Sequence, residues 1–156
     1  MATAWLAMGR MAMTWTLGCM LGAGSVKVPS VEGLRDTARP LLVFTPSVTD
    51  PRFVAQVRAL KSDEAGLRER QLVLLVFAKS AGDQSWRKQL DPALWRQPAD
   101  GEAARHQYSI QPNDFTVVLV GKDGGEKLRT QGVVPFETLR STVDAMPMRR
   151  AESKRQ

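Results

Sequence analysis

Three short apolar runs stand out along the chain, each without the alternation of a half-exposed strand. They are Pro40-Leu41-Leu42-Val43-Phe44, Gln71 to Ala78 (QLVLLVFA) and Phe115 to Val120 (FTVVLV). Unbroken apolar runs of this length predict strands buried on both faces. Between the first two, Asp50-Pro51 opens a helix, with an acidic N-cap and proline at the first helical position. Phe53, Val57, Leu60 and Leu67 fall on one face of it, and Gly66 weakens its last turn. A strand, a helix and a second strand make a crossover unit, so the first two strands are expected to be parallel.

After the second strand the pattern is hardest to read. Residues 79–101 hold Trp86 and Trp95 among Gly, Asp and Pro, and predict a loop with one or two short helical turns. The tryptophans are expected to cover the core. A helix follows from about Glu102 to Tyr108. Beyond the third strand, Gly121-Lys122-Asp123-Gly124-Gly125 has the composition of a hairpin turn. Glu126 to Thr130 returns as a polar edge strand, with Leu128 facing inward. Pro135 starts a last helix striped by Phe136, Leu139, Val143 and Met146, and Pro147 stops it. The basic tail from Met148 onwards is expected to be frayed. The resulting order, βαβαββα with a parallel first pair and an antiparallel second pair, is a thioredoxin-like α/β arrangement.

The N-terminal segment differs from the rest. Residues 1–25 carry one basic residue, Arg10, and no acid, and the run Met11–Ala23 has the length of a signal-peptide h-region. Ala23 and Ser25 supply small side chains where a signal peptidase reads. Cleavage is therefore expected after Ser25, leaving an irregular lead-in over 26–38, a domain over 39–150 and a basic tail over 151–156. The sequence also offers a lipoprotein reading, with Gly18 before Cys19, although Thr16 stands where the lipidation signal usually has Leu. Export makes the protein periplasmic or secreted.

Composition narrows the chemistry. The chain is 43% hydrophobic and 24% charged, as expected of a folded globule, and no apolar stretch reaches the roughly 18 to 20 residues of a membrane helix. Cys19 is the only cysteine and His106 the only histidine. An internal disulfide is excluded, and a thiolate- or imidazole-ligated metal centre is not expected. Loss of residues 1–25 would remove Cys19, leaving no thiol, and would lower the net charge from +6 to +5. His106 is expected at or near the surface. No P-loop, GxGxxG or Ser/His/Asp spacing is present, and the basic residues lack the interleaved aromatics of nucleic-acid platforms.

RPLLVFTPSVTDPRF at 39–53, FTVVLVGKDGGEKLR at 115–129 and VDAMPMRR at 143–150 together resemble the DUDES family, domain of unknown function 4174. Its members include small exported bacterial proteins and modules of animal extracellular-matrix proteins. The resemblance implies a thioredoxin-like fold related to peroxiredoxins. It also implies a four-stranded mixed sheet of order 2-1-3-4, flanked by helices, with the third strand antiparallel to the first. It brings no established activity, cofactor or catalytic residue.

Two places are candidates for function. In a thioredoxin-like fold, chemistry sits where the first strand meets the first helix, here Thr45-Pro46-Ser47-Val48-Thr49-Asp50. Redox work there needs a thiolate, and Ser47 and Thr49 cannot replace it. Asp50 is accounted for as a cap. The loop is expected to be a vestigial redox edge, a polar notch with free backbone N–H groups beside Pro112, Asn113 and Asp114. At the opposite edge the fold is expected to gather Arg39, Arg68, Arg70, Lys122, Arg149 and Arg150, with Asp123 and Glu69 as the acids among them. Such arginines suit carboxylate, sulfate or phosphate groups. They are equally accounted for as helix-end cations stabilised by the dipole, or by Asp123 pairing with Arg149 or Arg150.

The sequence thus points to an exported, non-catalytic binding or interaction module. Its expected partner is an anionic ligand or an envelope or extracellular protein. Two other readings stay open: an envelope stress or assembly factor acting through protein contacts, and an enzyme of unrecognised type at the strand–helix loop.

Overall fold

The computed structural model describes residues 29–80 and 82–155; the expected signal peptide and Cys19 lie outside them. The central strand β1 (Arg39–Ser47) is joined through α2 (Pro51–Lys61) and α3 (Glu64–Glu69) to β2 (Leu72–Ser80). These two strands are parallel, in register from Arg39 opposite Leu72 to Ser47 opposite Ser80. β4 (Thr116–Val120) lies antiparallel on the other side of β1, and β5 (Glu126–Thr130) pairs antiparallel with β4. The expected sheet is therefore present, with one addition. Trp95–Arg96 forms a two-residue strand, β3, on the outer edge of β2, so the sheet has five strands in the order β3-β2-β1-β4-β5. A two-residue strand is too short to leave any periodicity in the sequence.

The strands are apolar throughout because both faces of the sheet are covered. On one face Leu41, Val43, Leu74, Val76, Val117 and Leu119 pack beneath α2, α3, Trp86 and α5 (Phe136–Asp144). On the other, Leu42, Phe44, Leu75, Phe77, Val118 and Val120 meet Val31, Ala104, Tyr108 and Ile110. Phe44 and Phe77 stack at 4.8 Å in that second layer, with Tyr108 5.9 Å from Phe44. Ala104 belongs to α4 (Gly101–Gln107), the helix expected from about Glu102.

Several elements differ from expectation. Part of the lead-in is regular: Pro29–Glu32 forms one helical turn, α1. The helix carrying Phe53, Val57 and Leu60 ends at Lys61, and Leu67 lies on α3, which Asp63 caps by accepting from the Gly66 N–H at 2.8 Å. Residues 85–94 make two 3-10 turns, Ser85–Gln89 and Pro92–Leu94, in keeping with the one or two short helical turns expected there. Most consequentially, the tail is not frayed: α5 ends at Asp144, and Pro147 begins another helix, α6 (Pro147–Ser153). Its sequence lacks an apolar stripe because charged side chains carry its packing. Among the described residues no helix is long and apolar enough to cross a membrane.

Candidate functional site: two edges of the sheet

At the end of β1 every hydroxyl of the loop is engaged locally. Ser47 Oγ lies 2.8 Å from Thr49 Oγ1 and accepts from the Thr49 N–H at 3.1 Å, while Thr45 Oγ1 donates to the Ser47 carbonyl at 2.7 Å. Asp50 caps α2 by accepting from the Arg52 N–H at 2.8 Å and pairs with the Arg52 guanidinium at 2.8 and 3.0 Å. The hydrogen bond from that guanidinium holds the Asp50 carboxyl below its ordinary range, against the opposing effect of burial. Arg52 lies over the Phe115 ring at 5.1 Å.

Three of the N–H groups at the expected polar notch are engaged. The Asp50 N–H donates to the Ser47 carbonyl, and those of Thr49 and Arg52 are taken by side chains. Asn113 does reach this corner, accepting from Lys79 Nζ at 3.1 Å.

Beneath the corner lies a residue that sequence reasoning missed. Arg105, on α4, is 6% exposed. It donates to the carbonyls of Thr45 (3.0 Å), Phe77 (2.8 Å) and Gln111 (3.2 Å), with no carboxylate in contact among the described residues. Burial pushes its pKa down from the ordinary arginine value. The only trace in the sequence is its place between Ala104 and Tyr108 on the inward face of a helix. His106, its neighbour, is exposed.

The opposite edge gathers four of its six expected cations, but inside the protein. Arg39 is fully buried; it donates to the Arg70 carbonyl at 2.9 Å and to Glu152 at 3.1 and 3.3 Å. Lys122 reaches the same carboxylate at 2.6 Å. Arg70 forks onto Asp144 at 2.8 and 3.0 Å and also meets Glu69 at 3.2 Å. Arg149 pairs with Glu69 and approaches Asp144 at 3.5 Å. Arg68 turns instead to Asp91 and Glu64, and Arg150 is exposed with no partner among the described residues.

Nor does Asp123 pair with Arg149 or Arg150: it accepts from Lys127 at 2.6 Å and from the Gly125 N–H within its own turn. Asp144 and Glu152, the acids that bind most of this cluster, were hidden in a last helical turn and in a tail that reads as solvated. The chemistry here is that of an internal ion-pair network fastening α6 to β1, α3 and α5. For a ligand to use Arg39, Arg70, Lys122 or Arg149, it would have to displace these carboxylates.

Solved structures with this architecture include the reduced 2-Cys peroxiredoxin of Plasmodium vivax, at 14% identity and a TM-score of 0.58, covering 78% of this chain and 83% of that one. A secreted Mycobacterium tuberculosis disulfide oxidoreductase homologous to E. coli DsbE is similar at 16% identity and a TM-score of 0.54, with 74% and 86% covered. At such identities the likeness establishes the thioredoxin-like fold and nothing about activity. No curated protein matches the sequence significantly. The family model of Domain of unknown function (DUF4174) matches residues 30–152, a span that takes in α1 and nearly all of α6 as well as the sheet. This chain belongs to that family, and its domain is a thioredoxin-like fold whose terminal helix is part of the structure.

Proposed function

We propose that the chain is an exported, non-catalytic thioredoxin-like module that works by binding. One observation carries the reading: the corner between β1 and α2 holds Ser47 and Thr49, whose hydroxyls bond each other, and no cysteine occurs anywhere after Cys19. A hydroxyl is not oxidised by peroxide and forms no mixed disulfide, and here neither hydroxyl has a base beside it. Asp50, the nearest carboxylate in sequence, is paired with Arg52 and engaged in capping. Export rests on Arg10, the Met11–Ala23 run and the small residues Ala23 and Ser25.

Two measurements test the proposal. Intact mass of the protein recovered from its own host should correspond to a chain beginning near Val26. An unprocessed full-length chain would remove the export component, and a diacylated Cys19 would replace it with lipid anchoring. Peroxide-consumption and insulin-reduction assays on the Cys19→Ser protein should match the buffer blank. Turnover above that blank would overturn the non-catalytic reading.

A further inference from the structure

The outer edge of β2 is only half covered. β3 pairs with Leu74 and Leu75, and beyond them Val76 to Ser80 have no strand partner on that side among the described residues. The direction of the free backbone groups follows from a proline. Thr45 lies opposite Ala78, and Pro46 has no N–H to offer Ala78. That rung must therefore run through the N–H and carbonyl of Thr45 itself, to Phe77 and Lys79. The N–H and C=O of Ala78 then point away from β1, towards the open edge, and by alternation so do those of Val76 and Ser80.

This edge lies in a groove of about 150 Å3 lined by Val48, Val76, Ala78, Trp86, Gln97 and Pro98. Trp86, which lines this groove, also carries an unusual cation. Arg87 lies 5.8 Å from the Trp86 ring centroid and 5.0 Å from that of Trp95, which themselves meet edge to face at 5.2 Å. Stacking orients its guanidinium, which has no hydrogen-bond or carboxylate partner among the described residues. Lys88 and Arg96 flank it, also without a carboxylate; Arg96 contacts only the carbonyls of Pro92, Ala93 and Trp95. Of the three acids in residues 79–101, Asp91 is taken by Arg68 and Asp100 accepts from Ser30, leaving Asp83. Positive charge is thus left unpaired here, in contrast to the cluster around Glu152.

We propose that this edge is a docking site for an extended, acidic peptide segment of a partner protein. The segment adds a strand beside Val76–Ser80, sets apolar side chains against Trp86 and Val48, and places a carboxylate on the Arg87 fork. The proposal names the partner class for the binding module inferred above and rests on that reading.

The test uses fluorescently labelled octapeptides and the purified chain. An alternating Glu-Val octapeptide should bind, more weakly as sodium chloride rises from about 0.05 to about 0.5 M. A Lys-Val octapeptide should not bind. N-methylation of alternate amides in the Glu-Val peptide should abolish binding, because strand addition needs its N–H groups. Arg87→Gln should weaken binding roughly tenfold, the equivalent of one charge-assisted pair. Ala78→Pro should block the edge, whereas Arg150→Gln on the other edge should change nothing. Equal binding of the Lys-Val or N-methylated peptides, an unaffected Arg87→Gln protein, or no binding by any peptide would each overturn the docking site. None of these outcomes touches the non-catalytic reading, which fails only by turnover in the thiol assays.

Discussion

Gln56 and Val134 exchange two hydrogen bonds in the interior: the glutamine Nε2 donates to the Val134 carbonyl at 3.1 Å, and its Oε1 accepts from the Val134 N–H at 2.7 Å. Gln56 is 0% exposed, on the same side of α2 as Phe53, Val57 and Leu60. Val134 lies between β5 and α5, outside any strand or helix. One side chain therefore supplies both partners that buried backbone requires. Gln56→Leu keeps the shape but leaves both backbone groups unpaired, which should destabilise the fold by about 2–4 kcal/mol. Urea denaturation should show a lower midpoint at an unchanged slope.

Gly66 looks like a weakness in α3, since alanine favours a helix by about 1 kcal/mol. Its surroundings reverse that. A Cβ there would come within 2.5 Å of Phe136 Cζ and 2.6 Å of Asp63 Oδ2, the cap of the same helix. Gly66→Ala should therefore lower stability, by about 1–3 kcal/mol as overpacking does. Thermal melting checks it, and Phe136→Leu in the same chain should recover part of the loss.

Arg149 and Arg150 are adjacent and chemically alike, yet their substitution should have unequal effects. Arg149 is 5% exposed and engages Glu69 and Asp144; Arg150 is exposed without a partner among the described residues. Arg149→Ala should cost about 2 kcal/mol, and Arg150→Ala less than about 0.5 kcal/mol. Equal melting temperatures for the two variants would contradict the network described around α6.

Acid should loosen α6 through Glu152. Burial favours the neutral form of this carboxyl, but hydrogen bonds and charge from Lys122 and Arg39 outweigh it, and its pKa is lowered from the ordinary 4.5. A carboxyl with a depressed folded pKa contributes stability that is present above the unfolded value. That contribution is lost as pH falls through the folded one. Between pH 7 and about 5 the wild type should hold its advantage over Glu152→Gln. Below about pH 4.5 the two melting curves should converge. Hydrogen exchange over residues 147–153 should accelerate in the same window.

Legibility in the sequence followed the kind of interaction that holds each element. The three apolar runs, the Asp50-Pro51 start and the Gly121–Gly125 turn rest on burial and backbone geometry, which leave local patterns, and the structure has all of them. α6 rests on Arg149 and Glu152, whose partners Glu69 and Arg39 lie 80 and 113 residues away in sequence, so its segment reads as a solvated tail. Arg39, Arg70, Lys122 and Arg149 could be placed together from topology alone. Their burial could not, because it depends on Asp144 and Glu152 meeting them in space. Arg105 left no pattern, since its partners are backbone carbonyls that every residue possesses.

The bond between Arg39 and Glu152 joins the first residue of the central strand to the last helix, 113 positions later. During synthesis the Arg39 guanidinium emerges long before the carboxylate that will neutralise it. A nascent chain stopped short of residue 152 could form the sheet hydrogen bonds of β1, but burying Arg39 and Lys122 without Glu152 is unfavourable. The domain therefore closes last at its first strand, and a ribosome must translate past residue 152 before this interior becomes electrically complete.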